Sequence, residues 1–413
     1  MVKASIITIG DELLIGQVID TNSAWIAQEL NKIGIQVQRR VAVGDSWDGI
    51  WNVLDEEIPR SSLVIITGGL GPTSDDITKE LLCKYFNGSM LLNEDVETHV
   101  RNLFNNVLKK PMPDRNLTQA MVPDVCRVLM NPQGTAPGML FETERSTIIS
   151  LPGVPFEMKG IMCEHVLPIL AKKFLGRPLE HRTLLTSGIG ESALADLVQD
   201  IERELPREIR LAYLPHFTMV RLRLTADEFA NLDQLDFYFK KLCERTGPYL
   251  VVDSDISLEE VVINLLKQRA QTLVTAESCT GGYIAHRLTR VPGVSAVFQG
   301  TVVSYSNEAK QDVLNVSMNA LEKFGAVSEE VVREMLTGVM VRMRTDYAIS
   351  VSGILGPGGG TVEKPVGTVW IAVGNKENIV ARKSHLRYNR KNNMEVACIT
   401  ALDMLRKFIM EHR

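Results

Sequence analysis

Two nucleophile-type side chains, Ser278 and Cys279, stand between the apolar run LVTAE (273–277) and the pair Gly281-Gly282, where an amphipathic stretch begins. A strand that gives way to a helix there sets free helix N–H groups and a positive dipole end beside the hydroxyl. Such a place holds a phosphate or a developing oxyanion. Two other loops read alike. VVSYSNEAK (302–310) puts Tyr305 at a strand end and Lys310 near a helix start, and SGILGPGGG (352–360) is too rich in glycine to be only a turn. In a doubly wound sheet the C-terminal strand ends share one crevice, so Ser278, Tyr305, Lys310 and the Gly353–Gly360 loop are expected to meet. That set suits amide hydrolysis. Ser278 would attack, its proton removed by a neutral Lys310 or relayed through Tyr305. A desolvated lysine gives up its proton more readily, as a serine–lysine pair requires. Backbone N–H groups of either glycine loop would hold the oxyanion. The plainer alternative is that Ser278 and Thr280 cap a helix and the glycines turn the chain. Cys279 reads as a packed small residue.

A second constellation lies near the N-terminus. GDELLIGQVIDTNS follows the first apolar run with Gly10, Asp11 and Glu12, then Asp20, Thr21 and Asn22 ahead of a helix. TGGLGPTSDDIT follows a later one with Gly68, Gly69 and Gly71, then Asp75 and Asp76 opening a helix. Glycine loops at strand ends cradle phosphates. Carboxylates beside them suggest Mg²⁺ or a similar hard cation, which bridges phosphates and lets water attack. The alternative for Asp75 and Asp76 is a favourable helix N-terminus.

The elements that must position these groups follow from the pattern. A chain of 413 residues exceeds one ordinary domain. Residues 1–175 alternate strand and helix, which implies a parallel, doubly wound α/β sheet. The pattern blurs from about 90 to 145. Residues 180–254 read as a small split βαβ-type α+β unit, with Tyr213 and Phe217 as core residues of its strands. Residues 255–413 are again α/β, with two strands after SEEVVREMLTGVMVRM and one closing helix. The fold class is therefore two three-layer α/β domains joined by a small α+β unit. Net charge −5 argues against a protein whose main task is gripping phosphate backbones. Six scattered cysteines suit a reduced compartment, not a disulfide framework or zinc site. The opening KASIITIG lacks the plan of a signal peptide, and no apolar run is long enough to span a bilayer, so a cytoplasmic location without membrane partners is expected.

The C-terminal motifs AESCTGG, VSYSNEAK, GAVSEEVV, SGILGPGG and EKPVGTVWIA resemble the C-terminal domain of the CinA family, itself similar to bacterial nicotinamide mononucleotide deamidase. The resemblance implies hydrolysis of the carboxamide of nicotinamide mononucleotide, with no cofactor. It supports catalytic roles for Ser278, Tyr305 and Lys310, and substrate contacts at Thr280, Gly281, Gly282, Gly353, Gly356, Gly358 and Arg390. The family usually carries Gly-Asp-Arg and a further arginine a turn later. Here Tyr388-Asn389-Arg390 and Met394 take those places, so Arg390 alone is expected to meet the substrate phosphate.

GDELLIGQVIDTN, TGGLGPTSDDIT, NPQGTAPG and LPGVPFEM resemble the molybdopterin-binding, MoaB/MogA-like fold as it occurs in CinA proteins. That implies metal-dependent hydrolysis of the pyrophosphate of ADP-ribose. Asp11, Glu12, Asp75 and Asp76 would handle a divalent metal such as Mg²⁺, with a monovalent cation such as K⁺ as a further expectation. Asn22, Gly68, Gly69, Gly71, Gly134, Thr135 and Gly153 would contact phosphate or nucleotide, while Glu157 and Met158 read as helix packing. TSGIGES (186–192) and the element order around it resemble the KH-type unit of CinA proteins. Asp and Glu outnumber Lys and Arg between His181 and Asp255, the wrong balance for a nucleic-acid groove, so a spacer or dimer contact is expected. The implied whole is a bifunctional hydrolase of pyridine nucleotides, expected as a homodimer. The competing reading is a nucleotide- or pterin-binding scaffold linked to competence or DNA damage.

Overall fold

The computed structural model describes residues 2–174 and 176–412. Leu175, where the sequence closes the first domain, and the terminal Met1 and Arg413 lie outside the described residues. The chain divides into two compact units, one ending at Glu180 and one starting at His181.

In the first unit a six-stranded sheet runs in the order Ile35–Val43, Val2–Ile9, Leu63–Thr67, Thr147–Leu151, Gly138–Glu142, Arg127–Leu129. The first four strands are parallel. The central strands Leu63–Thr67 and Thr147–Leu151 are buried throughout because both faces are covered, while the edge strand Ile35–Val43 is largely exposed. Ala4 and Ile6 join one buried cluster, and Ile7 and Ile9 join another. The last two strands are antiparallel, which corrects the wholly parallel expectation. Only residues 143–146 separate Glu142 from Thr147, and so short a link can join only antiparallel strands. The stretch where the pattern blurred holds the hairpin Met90–Leu92 with Met121–Pro123 and the helix Glu94–Asn102. They surround a small core of Val96, Val100 and Ala120. In the closing helical run, a π turn at Met162–Val166 precedes Pro168, which has no N–H for the ordinary helical bond.

The second unit holds two sheets. In the smaller, the order is Ile209–His216, Met219–Ala226, Glu180–Ser187, Leu250–Val252. Helices Glu191–Glu204 and Leu232–Thr246 pack on one face through Leu194, Val198, Leu235 and Leu242. From the strands, Leu185 and Met219 instead enter the core formed by Val262, Leu266 and Leu402. The middle segment is thus packed onto the C-terminal segment, not strung between domains as a spacer. Phe217 is not a strand residue as expected. It occupies the hairpin loop between His216 and Met219 at φ 51°.

The larger sheet runs Phe298–Val303, Leu273–Glu277, Tyr347–Gly353, Thr368–Gly374, Ile379–His385. The first three strands are parallel and the last two antiparallel. Ile379–His385 lies where no strand was expected. It is a sheet edge carrying Arg382, Lys383 and His385, so its apolar signal is weak. Among the described residues, no helix is long and apolar enough to cross a membrane.

Leu402, fully buried on the helix Arg390–Glu411, tests the division into units. Leu402→Ala should destabilise the second unit by about 2–5 kcal/mol. Hydrogen exchange in urea should show that unit opening earlier while the strand Leu63–Thr67 keeps its protection. Equal loss in both units would contradict the division.

Candidate active site

Ser278 follows the strand Leu273–Glu277, and its own N–H is tied to Val351 O at 3.0 Å. Lys310 lies on the helix Asn307–Leu314, whose start is capped by Ser306. The helix turns Lys310 inward until it is only 1% exposed. Its Nζ stands 3.0 Å from Ser278 Oγ, 2.9 Å from Ser304 O and 3.3 Å from Tyr305 O. Among the described residues no carboxylate pairs with it. Burial pushes its pKa below the usual lysine value, with Cys279 opposing. The amine donates to the serine oxygen and to these carbonyls, with Ser306 O a further contact at 3.5 Å; in its neutral form it would have a lone pair free to take the serine proton.

Tyr305 does not complete a relay. Alternation along the chain buries Ser304 and leaves Tyr305 63% exposed. The Tyr305 hydroxyl accepts from Arg390 Nη2 at 3.1 Å, and only its backbone carbonyl faces Lys310. Arg390, at the start of the closing helix, also donates to Gly356 O at 2.8 Å. Asn393 was missed by sequence reasoning. Fully buried, it donates to Leu355 O at 3.1 Å and Tyr388 O at 2.7 Å and accepts from Tyr388 N at 3.0 Å. It staples the glycine loop to the segment before Arg390. One of three asparagines around the first turn of a helix, it gave no signal of this. Met394 packs against the apolar core.

These groups border a cleft of about 270 Å³, with Ser278, Lys310, Tyr305 and Arg390 set against Gly353, Gly356 and Gly358. The Thr280 side chain and residues Gly281 and Gly282 do not border this cleft. Gly281 and Gly282, at φ 59° and 95°, bend the chain back over Glu277. That carboxylate is fully buried and accepts from the N–H groups of Gly282 (3.0 Å), Ile284 (3.1 Å) and Ala285 (2.9 Å). The helix Tyr283–Thr289 is therefore capped by its own chain and offers nothing to a ligand. The Glu before the serine was the signal for this cap. Among the described residues, the amides of Cys279 and Thr280 have no backbone acceptor and remain as donors. Burial pushes the Cys279 thiol up to about 12, which removes it as a nucleophile.

The N-terminal residues are brought together less completely. Asn22 donates to Gly153 O (2.7 Å) and Thr67 Oγ1 (3.2 Å), while its buried Oδ1 has no partner. It borders a cleft of about 130 Å³ with Glu12, Thr67 and Gly153. Gly68 is there for close packing, since a Cβ would lie 2.2 Å from Ile9 O. Gly69 likewise abuts Thr78, and Gly71 abuts Asp76. Asp76 is no free ligand: its carboxylate accepts from Gly71 N (2.7 Å), Thr73 N (2.9 Å) and the Thr73 hydroxyl. Asp75 is exposed. Asp11 is paired with Asp45, which the sequence reading missed; each carboxylate accepts from the other's backbone N–H, at 3.2 and 3.0 Å. Burial raises the Asp45 pKa, and the charges of Asp11, Glu12 and Asp75 add to it. Gly134, beside the half-buried Thr135, faces the Glu157 carboxyl, the wrong charge for a phosphate cradle. Glu157 accepts from Asn131 Nδ2 at 2.6 Å and is pushed up by burial, so it does more than pack its helix; Met158 is core. As they stand, the four expected ligands do not fit a metal. Among the described residues, no three Asp, Glu, His or Cys side chains are grouped to hold an ion.

Three family descriptions match the chain in order. They are a probable molybdopterin-binding domain over residues 5–172, the damage-inducible protein CinA KH domain over 181–246 and the CinA C-terminal domain over 255–409. A CinA-like protein of Cytophaga hutchinsonii is 46% identical over 99% of both chains. A putative competence-damage inducible protein of Caldicellulosiruptor bescii is 40% identical over 99% of this chain and 100% of its own. A solved CinA superfamily protein from Klebsiella pneumoniae is 34% identical, covering 38% of this chain and 99% of its own, with TM-score 0.37. The chain belongs to the CinA family.

Two substitutions probe this geometry. Glu277→Gln removes a charge that accepts three amides and should destabilise the second unit by roughly 2–3 kcal/mol in urea titration. An unchanged midpoint would remove its capping role. Gly358→Ala places a Cβ where no atom lies within 4 Å. It should leave stability unchanged, so weakened ligand binding in that variant would report crowding of the cleft itself.

Proposed function

We propose that the C-terminal cleft is an amide hydrolase site that converts nicotinamide mononucleotide and water into nicotinate mononucleotide and ammonia. The observation that carries this is the buried Lys310 amine 3.0 Å from Ser278 Oγ. Ser278 Oγ attacks the carboxamide carbon while its proton passes to Lys310. The amides of Cys279 and Thr280 are the donors available to the oxyanion. The resulting Lys310 ammonium protonates the departing nitrogen, which leaves as ammonia. Water, with Lys310 again as base, then releases the acid and restores Ser278. The cleft volume suits a small ligand. Arg390 supplies positive charge at the mouth for a phosphate, and Met394 adds none.

Ser278→Ala and Lys310→Met should each lower ammonia release at least about 100-fold, while Gly358→Ala keeps kcat. Unchanged release from Ser278→Ala would overturn the assignment. The working form of Lys310 is neutral, so kcat/KM should fall as pH drops and Lys310 takes up a proton. Because burial lowers its pKa, that limb should lie below the ordinary lysine range. A flat profile that drops only as pH rises would refute a neutral base.

For the N-terminal unit we propose hydrolysis of the ADP-ribose pyrophosphate with a divalent cation, and a monovalent ion such as K⁺ beside it. The reading is supported by the family motifs and by the cleft around Asn22. Asp11, Glu12, Asp45 and Asp75 would repel a bare pyrophosphate, and a cation offsetting that would arrive bound to the nucleotide's own phosphates, because these side chains do not group around a metal by themselves. Release of AMP from ADP-ribose should need added Mg²⁺ or a similar ion and stop with a chelator. Binding of ADP-ribose with no cleavage under any metal would favour a nucleotide-binding role at this unit.

A further inference from the structure

The tip of the middle segment's hairpin reaches the border of the C-terminal cleft. Phe217 holds φ 51°, a left-handed backbone that a bulky residue seldom adopts. Such strain persists where surrounding contacts fix it. Here the Phe217 ring meets the Tyr388 ring edge-on, with centroids 5.5 Å apart, and His216 packs on Phe217 at 4.8 Å. Tyr388 stands two residues before Arg390, and Asn393 already grips its backbone N–H and carbonyl. The segment that presents Arg390 is therefore held from inside by Asn393 and from outside by Phe217. His216 Nε2 also lies 3.6 Å from Glu395 Oε1. Glu395 bonds the Tyr283 hydroxyl and Arg287, both on the helix after the Ser278 turn. One hairpin tip thus touches supports on both sides of the cleft.

We propose that His216-Phe217 is a positioning element for this cleft, by which the middle segment fixes the Tyr388–Arg390 arm and sets how tightly an anionic substrate is held. The charge balance of that segment speaks against a nucleic-acid groove, and its packing gives it this intramolecular role instead. Phe217 touches no reacting atom. Its influence passes through Tyr388 to Arg390, so it should act on ground-state binding and leave the Ser278–Lys310 pair untouched.

The kinetic half of the test rests on the proposed deamidase reading; the other half does not. In the full chain, Phe217→Gly relieves the backbone and deletes the ring, Phe217→Ala deletes the ring alone, and Phe217→Tyr keeps a ring. With nicotinamide mononucleotide, the Gly and Ala variants should raise KM about tenfold with kcat nearly unchanged, and the Tyr variant should restore it. Hydrogen exchange at residues 387–392 should quicken in the Gly and Ala variants, while the strand Leu273–Glu277 stays protected. Unaltered exchange at 387–392 in Phe217→Gly overturns the proposal, as does a fall in kcat at constant KM. If the unaltered protein releases no ammonia, the deamidase reading fails, and the exchange measurement alone decides this one.

Discussion

A buried amine that no carboxylate among the described residues pairs with is the feature around which the second unit is arranged. An ammonium in that position would lose its hydration and gain only backbone carbonyls in return, so burial shifts Lys310 toward the neutral form. Keeping it there takes a helix whose first turn is capped by Ser306 and a strand end whose carbonyls at Ser304 and Tyr305 accept its protons. Ser278 Oγ is the remaining neighbour of the amine, at 3.0 Å. The parallel strands Leu273–Glu277 and Phe298–Val303 bring the two chain segments side by side, because parallel neighbours end on the same edge.

Opposite charges have been separated with some care around that pair. Glu277 immediately precedes Ser278, yet its carboxylate is turned away, onto the amides of the helix that follows and the hydroxyls of Thr275 and Thr301. This leaves the cleft with the Lys310 amine, whose pKa burial lowers, and the Arg390 guanidinium. The N-terminal unit does the reverse. There the acids crowd, Asp11 and Asp45 brace each other's backbone, and Asp76 braces its own loop. The first arrangement is the basis for proposing a neutral amide on an anionic carrier. The second would hold an anion only with help from positive charge.

The middle segment shows how packing can overrule an expectation drawn from element order. Its strands supply Leu185 and Met219 to a core shared with the C-terminal helices, and Ser187 donates to the buried Asp403 at 2.9 Å. Burying that apolar surface holds the middle segment against the C-terminal helices.

Sequence alone determined the local things. Apolar runs bounded by glycines marked the strands, and the motif order marked the family. Ser278 and Lys310 were legible because both sit at strand-to-helix junctions, where one sheet topology forces convergence. Tertiary structure decided everything that depends on direction or competition. Tyr305 was placed near the pair correctly but turned outward by alternation. Gly281 and Gly282 looked like a ligand cradle until Glu277 claimed their neighbours' amides. Asp76 looked like a metal ligand until its loop used both oxygens. Asn393 and Phe217 gave no signal, since one works through a loop 38 residues away in sequence and the other through a ring from a different sheet. The physical reason is that a hydrogen-bonding group or a ring is defined by its partner, and a partner distant along the chain is fixed only when the chain folds.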